Sequence, residues 1–281
     1  MLDAVLLVLR EVLEAALIIS LLLALSRQLG LRGAPWILVA LAGGFFTSWV
    51  LAHFAYTIAD AVDGMGQELL NSLLFVLVIV CFILVIRIIA PLVFHSGIEL
   101  PPAFPGLRQY GVLMICFIVI VVSAMARECS EIWIYLSSFT RAELRNAALS
   151  GGAIGVGIGV SVGVIVYFAL VLTARHYFMR LFSLAVTLLI GGLSMQIAKE
   201  LMQVGLLDST APLWDSSGIV SEHSWLGELL YALVGYDARP NRIQVIFYLM
   251  AVVPVVILLT IACYRARRTT GSSLSAVTKS R

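Results

Sequence analysis

The chain has 281 residues, 61% of them hydrophobic and only 12% charged, where soluble domains carry about a quarter charged residues. That balance excludes a soluble globular protein, a disordered chain and a nucleic-acid binder, and leaves a polytopic membrane protein. The formal net charge of +2, from 18 basic and 16 acidic residues, becomes informative only once the charges are placed.

A helix needs about 20 mostly apolar residues to cross a bilayer. Seven stretches qualify: 2–25, 36–58, 69–90, 110–139, 150–173, 178–204 and 244–264. The predicted fold is all-α, a membrane bundle of seven transmembrane helices over 1–264. A polar, basic tail follows over 265–281 and is expected to be mobile. The first stretch has no basic leader and is interrupted by Arg10, Glu11 and Glu14, so it reads as a retained helix rather than a signal peptide. Connections are short except for 205–243, which holds Gly, Pro, Trp and several acids.

Loop arginines and lysines set the orientation. With the N-terminus outside, the inner loops and tail collect Arg27, Arg32, Arg87, Arg108, Arg175, Arg180, Arg265, Arg267, Arg268, Lys279 and Arg281. The outer loops hold only Arg141, Arg145, Arg239 and Arg242. N-terminus out and C-terminus in is therefore expected. The first and fourth helices then run in opposite directions, so helices 1–3 and 4–6 are candidates for an inverted repeat, with helix 7 added.

Two apolar spans carry the same charged pentad. Helix 1 reads Arg10-Glu11-Val12-Leu13-Glu14 and helix 4 reads Arg127-Glu128-Cys129-Ser130-Glu131, both R-E-x-x-E. Residues three or four apart share a helix face, so each pentad presents both glutamates and its arginine together. Glu11 lies about 13 Å, and Glu128 about 16 Å, from the outer end of its span, near the middle of a core about 30 Å thick. Antiparallel helices can bring such motifs face to face. Three charges at mid-helix cost helix 1 about 9 kcal/mol, while its Leu, Ile and Val residues return about 7 kcal/mol. Helix 1 is stable only with its charged face packed against polar partners.

Four glutamates against two arginines leave a charge of −2. Buried negative charge without compensation binds a cation or takes up protons. Carboxylates suit hard cations such as ferric iron, Mn²⁺, Mg²⁺ or Ca²⁺. The plainer reading is a set of salt bridges that fixes helix packing. A repeated intramembrane charged motif at matched depth favours function.

These pentads resemble the R-E-G-L-E pair of the oxidase-dependent iron transporter family, which includes fungal high-affinity iron permeases and bacterial EfeU-type permeases. The likeness extends over about 1–264. It covers LREVLEAALIISL in helix 1, Gln67-Glu68-Leu69 before helix 3, AMARECSEIWIYLSSF in helix 4, and SEHSWLGELLYALVGYDARP before a last span containing Pro254. The resemblance implies a multi-pass iron permease of the plasma membrane, the inner membrane in bacteria, rather than an enzyme. Metal would be handled by Glu11, Glu14, Glu128 and Glu131, with Arg10 and Arg127 beside them. Iron would be the cargo, with no permanently bound cofactor, and an extracytoplasmic iron-oxidising or iron-delivering protein the partner. The chain departs from the motif at Val12 and Cys129, where the family has glycine, and at Ser130, where it has leucine. Cys129 is either a soft ligand or, on the reading preferred here, a small packing residue.

Helix 6 carries Gln196, Lys199, Glu200 and Gln203 on one face. Glu200 either lines the entrance or sits at the interface, and Lys199 is expected to snorkel to water. Gly151, Gly155, Gly159 and Gly163 form an i+4 row on helix 5 suited to close helix packing. The outer acids Asp60, Asp63, Glu68, Asp208, Asp215, Glu222, Glu228 and Asp237 are solvated loop residues, with Glu68 the best candidate for a role at the mouth. His53 lacks a haem partner and there is no HExxH, so His53 reads as a packing residue, while His223 is a weak candidate contact for arriving metal. The four cysteines are too scattered for a disulfide framework. The competing functions are a permease for another cation, such as Mn²⁺ or Pb²⁺, and a membrane redox or assembly subunit.

Overall fold

A computed structural model describes residues 2–31, 35–93, 106–139, 141–221, 224, 226–227, 230–231 and 235–279. The helices, in chain order, are α1 (Leu2–Gln28), α2 (Pro35–His53), the short α3 (Ala55–Ala59), α4 (Gly66–Val93), α5 (Leu107–Ser137), α6 (Ala142–Leu172), α7 (Arg175–Gln203) and α8 (Arg242–Lys279). The chain is a polytopic helical bundle. Among the described residues, α2, α4, α5, α6, α7 and α8 contain the 6 segments long and apolar enough to cross a membrane. The first of the seven expected spans, α1, is helical and 27 residues long, but Arg10, Glu11 and Glu14 interrupt its apolar run.

Two expectations change in detail. The stretch 36–58 is not one helix: α2 stops at His53, Phe54 leaves helical geometry (φ −96°, ψ 12°), and α3 resumes. His, Phe, Tyr and Thr crowd this point, all weaker helix formers than Ala or Leu. At the other end α8 continues beyond the apolar span to Lys279, so the basic tail is helical through that residue. Its Ser/Thr/Ala/Arg composition contains no proline to stop the helix.

Packing follows the small residues. The α6 glycines face α1: a Cβ on Gly155 would stand 2.8 Å from the Val5 carbonyl oxygen, one on Gly159 2.7 Å from Val12 Cγ1, and one on Gly163 2.8 Å from Ala16 Cβ. Ser20 closes this seam by donating from Oγ to the Gly163 carbonyl at 2.7 Å. The row read from sequence as a packing ridge therefore seats α1 against α6. A parallel arrangement joins α2 to α5. Gly44 leaves room for Met125, and Ser48 Oγ donates to the Met125 carbonyl at 2.7 Å. Further contacts join α1 to α5, α4 to α5 and α7, and α7 to α8.

The hydrophobic core lies toward one end. Phe82, Phe117, Phe178, Phe182, Leu22, Leu25, Ile86 and Ile89 are all fully buried. They come from the C-terminal halves of α1 and α4 and the N-terminal halves of α5 and α7. Together they fill the half of the bundle opposite the charged pentads.

Candidate metal-handling site

The i+3 spacing places Glu11 and Glu14 on the face of α1 that meets α5, and all four motif glutamates come together with Arg127 at this contact. Glu11 is 7% exposed, Glu14 6% and Glu128 3%, whereas Glu131 is half-buried. Arg127 is the hub. Its Nη2 donates to Glu14 Oε2 at 2.9 Å and also pairs with Glu128, while Nη1 donates to Glu131 Oε1 at 3.1 Å. The guanidinium also lies 4.7 Å from the Phe75 ring centroid on α4, a favourable placement for a cation on an aromatic face.

One guanidinium cannot satisfy four carboxylates. Glu11 Oε2 and Glu128 Oε2 are buried without a hydrogen-bond partner. Buried carboxylate oxygens left without a donor are costly unless a proton or a cation joins them. The second arginine takes a different position. Arg10 Nε stands 3.7 Å from Glu14 Oε1, and its guanidinium sits 4.1 Å from the Tyr231 ring centroid.

Val12 and Cys129, the two departures from the family glycine, face away from the carboxylates. Val12 packs on Gly159 of α6, and the Cys129 thiol lies beside Ser48 of α2. Both occupy helix seams, as the packing reading of Cys129 expected.

On the side of the α1 N-terminus the pentads open into a cavity of about 400 Å³. Glu11 and Glu131 contribute to its wall, and Glu68 of α4 and Glu200 of α7 complete a ring of acids, with Gln67, Asn71, Tyr135 and Gln203 between them. Glu68 and Glu200, both named from sequence, thus line this cavity. On the other side of the charge layer the space is different. Two voids of about 20 Å³ touch Glu14, one beside Phe75, Arg127 and Glu128, the other beside Gln196, Tyr231 and Gly235. Among the described residues, no three His, Cys, Asp or Glu side chains are grouped closely enough to hold a metal ion. Arg127 occupies the space between Glu14, Glu128 and Glu131.

Lys199 does not snorkel. Its Nζ pairs with Asp237 Oδ2 at 2.6 Å, and Gln244 Nε2 donates to the same oxygen at 3.0 Å. This latch holds the segment between α7 and α8 against α7. Close approach of Gly235 to Gly192 tightens the seam, because any Cβ at position 235 would run into the α7 backbone. Gly235 also has φ +69°, which favours glycine.

Tyr231 and Asn71 escaped the sequence reading. Asn71 lies one turn after Glu68 on the same face of α4, a spacing that was available. Tyr231 belongs to the apolar run WLGELLYALVGY, too short to span and of the length expected for a re-entrant segment.

Asp215 is engaged within the loop between α7 and α8. It accepts from Ser217 N at 2.9 Å and pairs with Arg239 at 2.9 Å. The Ser217 side-chain and backbone hydrogen bonds hold its carboxyl down at about 2. His53 stacks on Trp49 with centroids 5.7 Å apart, in keeping with a packing role. Glu222, Glu228 and His223 lie outside the described residues, as do His95, Glu99 and Arg32.

No family model and no solved structure matches the chain. Curated proteins do. It is 24% identical over 263 residues to the ferrous iron permease EfeU of Escherichia coli O6:H1, covering 90% of this chain and 92% of that protein. It is 24% identical over 281 residues to the ferrous iron permease EfeU of Yersinia pestis, covering 96% of each. The same identity over 281 residues relates it to the protein of that name in Yersinia pseudotuberculosis, covering 96% of this chain and 95% of that protein. Over nine-tenths or more of its length the chain is therefore similar to proteins named ferrous iron permease EfeU, consistent with an EfeU-type iron permease family.

Proposed function

We propose that the chain is a multi-pass permease that carries iron inward across a plasma membrane, the inner membrane in a bacterium, and that it is not an enzyme. Iron is the cargo, and no cofactor stays bound. Glu11, Glu14, Glu128 and Glu131 are the metal-handling residues. Arg10 and Arg127 orient them and limit their repulsion when no metal is present. Glu68 and Glu200 line the approach, with the N-terminal side of the bundle outside. An extracytoplasmic iron-oxidising or iron-delivering protein supplies the metal.

The observation that carries this reading is the pair of buried, unpartnered oxygens, Glu11 Oε2 and Glu128 Oε2, contributed by two copies of one pentad. The four glutamates and two arginines sum to −2, so one Fe²⁺ neutralises the cluster. Oxygen donors suit a hard or borderline cation. As the metal moves from the cavity to the α1–α5 contact, carboxylates replace its waters.

Helix pairing supports an inverted repeat. Exchanging α1, α2 and α4 for α5, α6 and α7 turns the α1–α6 pair into the α5–α2 pair. It returns the α4–α7 and α1–α5 pairs to themselves. Rocking of such halves about a site at their interface is an established route to alternating access.

The test is uptake of radiolabelled iron by membranes bearing Glu11→Gln or Glu128→Gln protein at wild-type abundance. Uptake is expected to collapse in both, and normal uptake in either would overturn the assignment.

A further inference from the structure

We propose that Tyr231 is a positioning residue for the metal site. Its ring draws the Arg10 guanidinium onto itself and holds it short of full pairing with Glu14, which keeps that carboxylate open to a cation. The proposal rests on the permease reading in that Glu14 handles the metal.

Both motif arginines approach Glu14, and not equally. Arg127 Nη2 donates to Glu14 Oε2 at 2.9 Å, an ordinary length for a charge-assisted hydrogen bond. Arg10 Nε stands 3.7 Å from Glu14 Oε1, beyond the about 2.7–2.9 Å of such a bond. The i+4 spacing of Arg10 and Glu14 on α1 allows closer pairing than this. The Tyr231 ring competes with Glu14 for the guanidinium, whose carbon lies 4.1 Å from the ring centroid. An aromatic face attracts arginine through its quadrupole, most strongly where water is excluded.

The ring is anchored independently of Arg10. Lys199 Nζ of α7 lies 5.5 Å from the same centroid and pairs with Asp237 Oδ2 at 2.6 Å. The Tyr231 carbonyl accepts from Gly235 N at 2.8 Å, and Gly235 packs on Gly192 of α7 with no room for a Cβ. Tyr231 is therefore fastened to α7, whereas Arg10 belongs to α1, which packs mainly on α6 and α5. The ring of one element holds a charge that belongs to another. Tyr231 and Glu14 also line one void of about 20 Å³, space for about one water molecule. The ring thus acts within a single small gap of the carboxylate. When the ring attraction weakens, the guanidinium gains more from Glu14, closes on Oε1 and competes with the arriving metal.

The test replaces Tyr231 in the full chain by phenylalanine and by mono-, di- and trifluorinated phenylalanines, introduced by nonsense suppression. Iron uptake is measured in liposomes, and melting in detergent with chelator present. Arg10 and Lys199 both contact the ring itself, so Y231F should keep the wild-type KM for iron. Fluorine withdraws charge from the ring face with little change of size. KM should therefore rise with fluorine number, by about tenfold at the trifluoro ring, the scale of a partly desolvated cation–π contact. The maximal rate should change little. The melting temperature should fall stepwise, by about 3 °C in all. Both trends should flatten in R10Q, where no guanidinium remains for the ring to hold. Should Y231F fold poorly, comparison within the fluorinated set, which shares one shape, carries the test. A series flat in melting or in KM overturns the proposal, as does a slope that persists undiminished in R10Q. A stepwise loss of melting temperature with KM unmoved leaves Tyr231 a packing residue and overturns its positioning role. The permease reading fails by a different result. Normal uptake in E11Q or E128Q removes that reading, whereas collapsed uptake there with a flat ring series removes the role of Tyr231 alone.

Discussion

Replacing Arg127 with glutamine removes a side chain that pairs with Glu14, Glu128 and Glu131 at once. The substitution keeps a polar group of similar reach but deletes its charge. Three carboxylates are then left in a space where Glu14 and Glu128 are almost wholly enclosed. Breaking a buried ionic network by removing one partner costs about 3–5 kcal/mol, because the remaining charges cannot be returned to water. At about 1.4 kcal/mol per decade, that is a hundredfold or greater loss in the folded-to-unfolded ratio. At this chain length it lowers the melting temperature by about 6 °C or more. The assay is thermal unfolding of purified protein in detergent with chelator present, followed by tryptophan fluorescence. Removing Glu128 as well should recover part of the loss, since R127Q/E128Q deletes an opposite charge along with the first. Non-additivity of this kind is the signature of groups that interact directly. The reasoning is refuted if R127Q melts within about 2 °C of wild type, or if the double variant is no more stable than the single one.

Gly159→Val should destabilise the α1–α6 seam by about 1–3 kcal/mol, the usual cost of overpacking, since a Cβ there stands 2.7 Å from Val12 Cγ1. The compensating pair V12G/G159V should melt above G159V alone, and equal melting would mean that the seam does not depend on this contact. Cys129→Ser should leave the order of preference among Fe²⁺, Mn²⁺ and Pb²⁺ unchanged in a liposome uptake panel, because the thiol lies beside Ser48. A shift of that order toward harder cations on losing the sulfur would show that the thiol reaches the metal.

The helices and the pentads were legible in the sequence because both depend on short-range pattern. Apolar runs of spanning length give helices, and i+3 spacing gives shared faces. Even the demand for a partner could be read from helix 1, whose charges cost about as much as its aliphatic residues return. The division of labour among the charges could not. Lys199 looked like a snorkelling residue because its partner, Asp237, is 38 positions away in a segment with no spanning helix. Tyr231 was invisible for the same reason, since it matters through Arg10, and that contact exists only after the segment between α7 and α8 folds back on the bundle. The cavity is the clearest case. Glu11, Glu68, Glu131 and Glu200 are spread over four helices, and no periodicity within one helix encodes their convergence.

The two arginines show how far identical local sequence can diverge. Arg10 and Arg127 open the same pentad, and helical geometry alone would give them the same surroundings. Arg127 lies between α1 and the Phe75 ring of α4, is 8% exposed, and binds three carboxylates. Arg10 sits over the Tyr231 ring and stands 3.7 Å from Glu14. The packing on the two pentads explains the difference. Arg127 has α4 over it, whereas Arg10 has Tyr231 from the segment between α7 and α8. Such a difference is what an inverted repeat requires of any single access state, because two halves related by rocking cannot hold equivalent conformations while one side is open and the other closed. The large cavity on one side of the charge layer and the two small voids on the other side show the same inequality in volume.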